Sequence, residues 1–180
     1  IYTNYLANAL PIGGVTTGEV SDLLDNLFTP TGFTFSIWGI IYLSLFVFLI
    51  SLFRIPEDKK LFISKVLVLF NINCLLNILW IFAWHYMVFP LSLVIMLGLL
   101  YNLILISRVI KTYYIDFNSS YLYNITSFSF NIYFGWITVA TVANFTGLLV
   151  SYEWGGLGIS HELWTFFVIV VASVIASITF

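Results

Sequence analysis

Long apolar runs separated by short polar segments form the hydrophobic pattern of this chain. A helix needs about 20 residues to cross the roughly 30 Å of hydrocarbon in a bilayer. The runs lack the alternation over about 10 residues that is typical of strands in a membrane barrel. The pattern therefore predicts five membrane-spanning helices, at Phe33–Phe53, Leu61–Tyr86, Leu91–Ile110, Tyr123–Val150 and Leu163–Phe180.

The amino-acid composition excludes a soluble globular protein. Of the 180 residues, 61% are hydrophobic and 8% are charged, and the mean hydropathy is +1.05. Soluble domains carry about 25% charged residues. A net charge of −2 with six basic residues gives no electrostatic footprint for nucleic acid. We therefore predict an all-α fold, a polytopic membrane helix bundle whose surroundings are the lipid bilayer.

Ionisable and metal-binding side chains are sparse along the chain. The single cysteine, Cys74, excludes an internal disulfide and a cysteine-based zinc site. The two isolated histidines, His85 and His161, do not make a metal or haem site. No Asp or Glu lies in the middle of an apolar run, which argues against a proton pump or a proton-coupled carrier. We expect neither a metal nor a cofactor.

The basic residues lie on two of the segments that connect the apolar runs. Residues 54–65 hold four of the six Lys and Arg residues, and residues 108–122 hold the other two. Because cytoplasmic loops carry an excess of Lys and Arg, we predict that both segments are cytoplasmic. The opposite side holds only acidic charges, which are Glu19, Asp22, Asp25, Glu153 and Glu162.

Both ends of the sequence have the pattern of a fragment. Residues 1–10 are predicted to be the last turns of an earlier helix, and the last apolar run ends at Phe180 without a basic anchor. We expect the chain to be cut at both ends.

Aromatic and amide residues recur on one face of several predicted helices. Trp38 and Tyr42 lie one turn apart in the first run. Two further sets of residues each share one face of a predicted helix. They are Asn73, Asn77, Trp80 and Trp84, within an arc of about 60°, and Tyr133, Trp136, Ala140 and Asn144, within an arc of about 80°, on a helix of 100° per residue. Thr138 points away from the second set and is expected to bond its own backbone, while Ile137 is placed on the lipid side.

Two interpretations of these faces stay open on pattern alone. Small residues and Asn side chains favour close packing and hydrogen bonding between helices in a membrane. Flat aromatic residues with a few fixed polar groups are also the usual lining of a small-molecule pocket.

Three motifs resemble the TspO/MBR family, the tryptophan-rich sensory or translocator proteins. Its last core helix carries Y-L-x-W-V-x-F-A-x-x-L-N, matched by Tyr133, Trp136, Ala140 and Asn144. Its W-x-x-L-Y motif is matched at Trp38 and Tyr42, and its N-x-x-W motif at Asn77 and Trp80. The resemblance covers about residues 1–150, with the first of five core helices truncated. Residues 151–180 are then a loop and an additional transmembrane helix, as in a longer bacterial variant.

The resemblance implies a pocket for porphyrins, haem-pathway intermediates or other flat hydrophobic molecules, in a bacterial cell membrane. By position, its lining would be Trp38, Tyr42, Asn77, Trp80, Tyr133, Trp136, Ala140 and Asn144. We expect a sensor or scavenger; the alternatives are a transporter of such ligands or a porphyrin-degrading enzyme that uses Trp38 and Trp136. A homodimer is left open.

A short amphipathic helix is predicted over residues 16–28. Thr16 and Glu19 have the spacing of a capping box. An apolar face then follows at helical offsets, with Asp22 and Asp25 toward the opposite side. We expect this segment to be a lid over the pocket mouth, with the alternative that it is an ordinary surface loop. Its apolar face would be Val20, Leu23, Leu24 and Leu27.

Overall fold

The structure is a computed structural model, and it describes residues 2–9, 12–24, 32–117, 120–155 and 159–179. The regular elements of these residues are all helical. Short 3₁₀ turns at Gly32–Ser36 and Leu52–Arg54 flank the third α-helix. The α-helices are α1 (Tyr2–Ala9), α2 (Thr17–Asp22), α3 (Ile37–Ser51), α4 (Lys60–His85), α5 (Phe89–Thr112), α6 (Tyr114–Phe117), α7 (Tyr121–Ser151) and α8 (His161–Thr179).

Four helical segments among the described residues are long and apolar enough to cross a membrane. They are Phe33–Arg54, Glu57–His85, Phe89–Thr112 and Tyr121–Ser151, and they confirm the first four predicted spans. The fifth predicted span falls on α8, whose described apolar stretch Glu162–Val171 is shorter. A crossing by α8 therefore stays a prediction. The all-α membrane bundle itself is confirmed.

The long helices pack in the order α4, α5, α7 and α3. They run in alternating directions because each ends close to where the next begins. The start of α3, the turn between α4 and α5, and the end of α7 lie together with α2, and we call this the α2 end. The other end carries residues 54–65 and 108–117, which hold all six Lys and Arg residues, and is called the basic end. The α1 helix packs against α4 near the α2 end.

Small and polar side chains join the helices inside the bundle. Ser129 Oγ donates to the carbonyl oxygen of Ser44 at 2.8 Å and links α7 to α3. Asn73 Nδ2 donates to Asn102 Oδ1 at 3.2 Å and links α4 to α5. Thr138 Oγ1 donates to the carbonyl oxygen of Phe134 at 3.0 Å, which confirms its predicted backbone bond. In an apolar solvent these bonds satisfy groups that lipid cannot.

The α2 helix begins as the sequence predicts. Thr16 Oγ1 accepts from the Glu19 backbone N–H at 3.2 Å, and Glu19 Oε2 accepts from the Thr16 backbone N–H at 2.7 Å, which makes a complete capping box. Val20 and Leu24 are buried and Asp22 is exposed, as expected. The placement of Leu23 on the buried face was wrong, because the helix ends at Asp22 and the side chain of Leu23 is 64% exposed. Asp25 and Leu27 lie outside the described residues.

Candidate ligand-binding site

A cavity lies at the α2 end of the bundle, between α3, α4 and α7 and beside α2. Four of its lining residues are tryptophans from three different helices. The small residues of α7 supply the remaining wall, and a polar residue of α2 reaches the cavity from the side. The lining is Ser21, Phe35, Trp38, Trp80, Trp84, Trp136, Ala140, Ala143 and Asn144. We call this the aromatic cavity.

The rings of the aromatic cavity contact one another. The Trp136 ring contacts two others, because Trp38 and Phe35 each pack edge-on against it with ring centroids 6.0 Å apart. Trp80 and Trp84 are one turn apart on α4 and stack with centroids 5.7 Å apart and planes at 19°. Both α4 rings are buried, so they do not belong to an aromatic belt of the kind that faces the membrane interface.

The aromatic cavity is nearly filled by its own side chains. Its volume is about 30 Å³, which is room for two or three waters on the scale of roughly 10–15 Å³ for each. Pockets for drug-sized ligands measure about 300–1,000 Å³. The structure therefore describes a closed arrangement, and a flat ligand requires the rings and α2 to move apart.

The α2 helix is held against the end of α4 by specific contacts. Trp84 Nε1 donates to the carbonyl oxygen of Thr17 at 3.2 Å. The Thr17 hydroxyl lies 3.4 Å from His85 Nε2. His85 Nδ1 carries a hydrogen, because it donates to the carbonyl oxygen of Ile81 at 2.8 Å. Leu24 lies against Gly147 of α7, where an added Cβ would be 3.0 Å from Leu24 Cδ1. These contacts fix α2 and the residues just after it to α4 and α7 at a few points beside the aromatic cavity.

Three residues that line the aromatic cavity each have a buried polar atom without a hydrogen-bond partner among the described residues. These atoms are Trp80 Nε1, Trp136 Nε1 and Asn144 Nδ2. Buried polar groups are paired in the large majority of cases, so each unpaired group calls for an explanation. Three residues around one cavity therefore carry a buried donor for which packing among the described residues supplies no partner.

A second cavity, which we call the deep cavity, lies farther from α2 between α1, α3, α4 and α7. Its volume is about 90 Å³ and its lining includes Tyr42, Asn77 and Tyr133. Asn4 Nδ2 donates to Asn77 Oδ1 at 2.7 Å, and Asn77 Nδ2 donates to the Tyr133 hydroxyl at 3.4 Å. The Tyr42 hydroxyl is buried without a described partner. Trp38 of the aromatic cavity stacks on Tyr42 of the deep cavity with ring centroids 5.4 Å apart.

The eight predicted site residues thus divide between two neighbouring cavities. Five line the aromatic cavity, namely Trp38, Trp80, Trp136, Ala140 and Asn144, and the other three line the deep cavity. The sequence-based set did not include Ser21, Phe35, Trp84 and Ala143. The signal for Trp84 was present, because it shares a helix face with Trp80.

The placement of Ile137 toward lipid was wrong. Its side chain is fully buried, because α7 packs against both α3 and α5 and side chains on both flanks of its aromatic face lie inside the bundle. Val139, which is 39% exposed, is the outward-facing neighbour.

The fold and site define an integral membrane protein, an α-helical bundle with a tryptophan-lined cavity near one end. The family of TSPO-like proteins has a model that matches residues 1–180, so the chain belongs to that family. The match includes the residues after Val150. Comparison with curated proteins and with solved structures finds no match.

Proposed function

We propose that this protein binds flat, largely apolar molecules of the tetrapyrrole type in the aromatic cavity, as a membrane sensor or scavenger. The observation that carries this proposal is the convergence of four tryptophans on one cavity with unpaired indole N–H groups. Aromatic rings offer stacking surfaces worth about 0.5–1.5 kcal/mol for each pair beyond the area they bury. The small side chain of Ala140 leaves one wall flat.

Opening of α2 supplies the space that the closed cavity lacks. Docking of α2 rests on two hydrogen bonds, worth about 0.5–1.5 kcal/mol each, and on the burial of Val20 and Leu24, worth about 1.5–3 kcal/mol each. The sum, about 4–9 kcal/mol, is comparable to the whole binding energy of a micromolar ligand, about 8 kcal/mol. A ligand therefore binds well only if α2 closes again over it and buries these side chains a second time.

Titration of the intrinsic tryptophan fluorescence of the purified protein with protoporphyrin IX, in its acid and ester forms, tests this proposal. Saturable quenching is expected. Trp136→Ala should weaken binding by about 1–3 kcal/mol, the scale of lost stacking and burial. The half-saturating concentration is compared, because the variant also removes one of six fluorophores.

Val139→Ala is the matched control, since it truncates an outward-facing side chain of the same helix. Equal weakening by both substitutions would point to general damage to the bundle and would favour interhelical packing. The absence of saturable quenching by both porphyrins would overturn the proposal.

A further inference from the structure

The unpaired groups of the aromatic cavity are mainly hydrogen-bond donors. Trp80 Nε1 and Trp136 Nε1 are buried without a described partner, and an indole nitrogen can donate but cannot accept. A ligand that completes the site must therefore present acceptor atoms to both.

Asn144 contributes an adaptable third group. Ser92 Oγ lies 3.1 Å from Asn144 Oδ1 and 2.9 Å from the carbonyl oxygen of Phe89. Ser92 has one hydroxyl hydrogen. When that hydrogen is donated to the carbonyl oxygen of Phe89, the Asn144 amide can flip so that its nitrogen donates to Ser92 Oγ. The remaining amide atom of Asn144 then meets the ligand as either a donor or an acceptor.

No charged side chain of the described residues lines the aromatic cavity. His85 is adjacent in sequence to Trp84, but its two ring nitrogens are directed to Thr17 and Ile81. A carboxylate in this cavity would be buried without a cation, which is strongly unfavourable. A neutral acceptor such as a carbonyl oxygen can use the same indole donors without that cost.

The mouth of the aromatic cavity is acidic. Glu19 and Asp22 are exposed on α2, which covers the cavity. The hydrogen bond from the Thr16 backbone N–H lowers the pKa of the Glu19 carboxyl, so Glu19 stays ionised at neutral pH. All six Lys and Arg residues belong to the basic end of the bundle. An anionic ligand is therefore repelled at the mouth as well as disfavoured inside.

From these observations we infer that the protein selects flat ligands whose buried acceptors are neutral carbonyl groups, of the ester, lactam or amide class, over ligands that carry free carboxylates. This inference rests on the proposed function and narrows its ligand class. The indole N–H groups of Trp80 and Trp136 recognise the carbonyl oxygens, and the absence of a cation among the described lining residues excludes the carboxylates.

Protoporphyrin IX and its dimethyl ester test the inference, because they have the same macrocycle and differ only in whether the two carboxyl groups are free or esterified. The protein is reconstituted in neutral phosphatidylcholine vesicles at pH 7.5. The partition of each porphyrin into protein-free vesicles is measured, so that affinities refer to the concentration in the bilayer. The ester is expected to bind at least about 10-fold more tightly than the free acid, as one unpaired buried charge predicts.

Two kinds of variant separate hydrogen bonding from charge. Trp80→Phe and Trp136→Phe keep an aromatic ring and remove the N–H, and each should weaken binding of the ester several-fold. Asp22→Lys changes an exposed charge at the mouth, and it should tighten binding of the free acid several-fold while the affinity for the ester changes less than about twofold.

The outcomes distinguish this inference from the proposed function. Equal affinity for the ester and the free acid, or unchanged ester binding by both Phe variants, would overturn the inference while porphyrin binding itself stands. If neither porphyrin binds saturably, the proposed function fails and the inference fails with it.

Discussion

The indole ring of Trp38 meets the indole ring of Trp136 edge-on, with centroids 6.0 Å apart and planes at 80°. The two residues come from α3 and α7, which are adjacent helices of the bundle. Their contact is worth about 0.5–1.5 kcal/mol, and both rings line the aromatic cavity. A planar ligand that stacks on either ring must replace this contact, so ligand binding and ring opening are linked events.

The burial of α2 should control ligand release. Val20→Ser and Leu24→Ser together remove two buried apolar side chains, and we expect the off-rate to rise at least about 100-fold with the on-rate within a few-fold. Stopped-flow fluorescence with a porphyrin measures both rates. Leu23→Ser is the matched control, since Leu23 lies on the same segment but is exposed. An unchanged off-rate in the double variant would mean that α2 does not close the cavity.

A close contact between Gly147 and Leu24 should also limit how α2 docks. In Gly147→Ala the added Cβ would lie 3.0 Å from Leu24 Cδ1, so Leu24 must shift. We expect the porphyrin off-rate to rise about two- to fivefold, for a loss of about 0.4–1 kcal/mol. In Gly39→Ala nothing lies within 4 Å of the new Cβ, and the off-rate should not change. Similar rates in both variants would contradict a tight α7 contact under α2.

The capping box of α2 should make its order depend on pH. The Thr16 backbone N–H lowers the pKa of Glu19 from its ordinary value of 4.5, so the folded segment binds the proton less readily than the unfolded one. The stabilisation is present above pH 4.5 and is lost as the pH falls through the lowered pKa. Protection factors from hydrogen exchange of the α2 amides should decrease over that range.

Glu19→Gln isolates this effect, because it removes the titrating group and leaves Asp22 in place. Its α2 protection factors should change less with pH than those of the unaltered protein. The same pH profile in both proteins would assign the change to another group.

The sidedness of the bundle is tested by thiol labelling in a Cys74→Ala background, which removes the native exposed thiol. Asp22→Cys and Ser160→Cys should react with an impermeant maleimide in intact cells. Lys60→Cys should react only after lysis, because the basic end is predicted to be cytoplasmic. Labelling of Lys60→Cys in intact cells would reverse the topology.

The helices could be predicted from sequence because lipid permits few alternatives to them. A backbone in hydrocarbon must satisfy its own hydrogen bonds. An apolar run that is long enough to cross the bilayer, such as Tyr123–Val150, is therefore expected to be a helix. The observed helix, Tyr121–Ser151, differs by only a few residues. The capping box of Thr16 and Glu19 was predictable for a similar reason, since it depends on local spacing alone.

The depth of each site residue could not be predicted in the same way. Asn77 and Trp84 share a face of α4, but seven residues at 1.5 Å each place them about 10 Å apart along the axis. Asn77 therefore lines the deep cavity and Trp84 lines the aromatic cavity. Helical periodicity gives the direction of a side chain around the axis and says little about which neighbouring helices meet it at that height.

Two residues lie elsewhere than the sequence pattern predicted. Ile137 was expected to face lipid but is buried, because α7 has packing partners on two sides. Leu23 was expected to be buried but is exposed, because α2 ends one residue before it. The burial of Ile137 depends on tertiary contacts that no local pattern contains, and the exposure of Leu23 follows from a helix that is shorter than the predicted one.

The central claim, that a ligand lies in the aromatic cavity against the indole N–H groups, is tested most directly by the indole signals of the ¹⁵N-labelled protein. The chain has six tryptophans, and their six indole N–H signals can be assigned with Trp→Phe variants. Protoporphyrin IX dimethyl ester should shift the signals of Trp80 and Trp136 and leave those of Trp154 and Trp164, which contact each other outside the cavity, unchanged. Unmoved Trp80 and Trp136 signals at saturating ligand, or shifts confined to Trp154 and Trp164, would contradict the account.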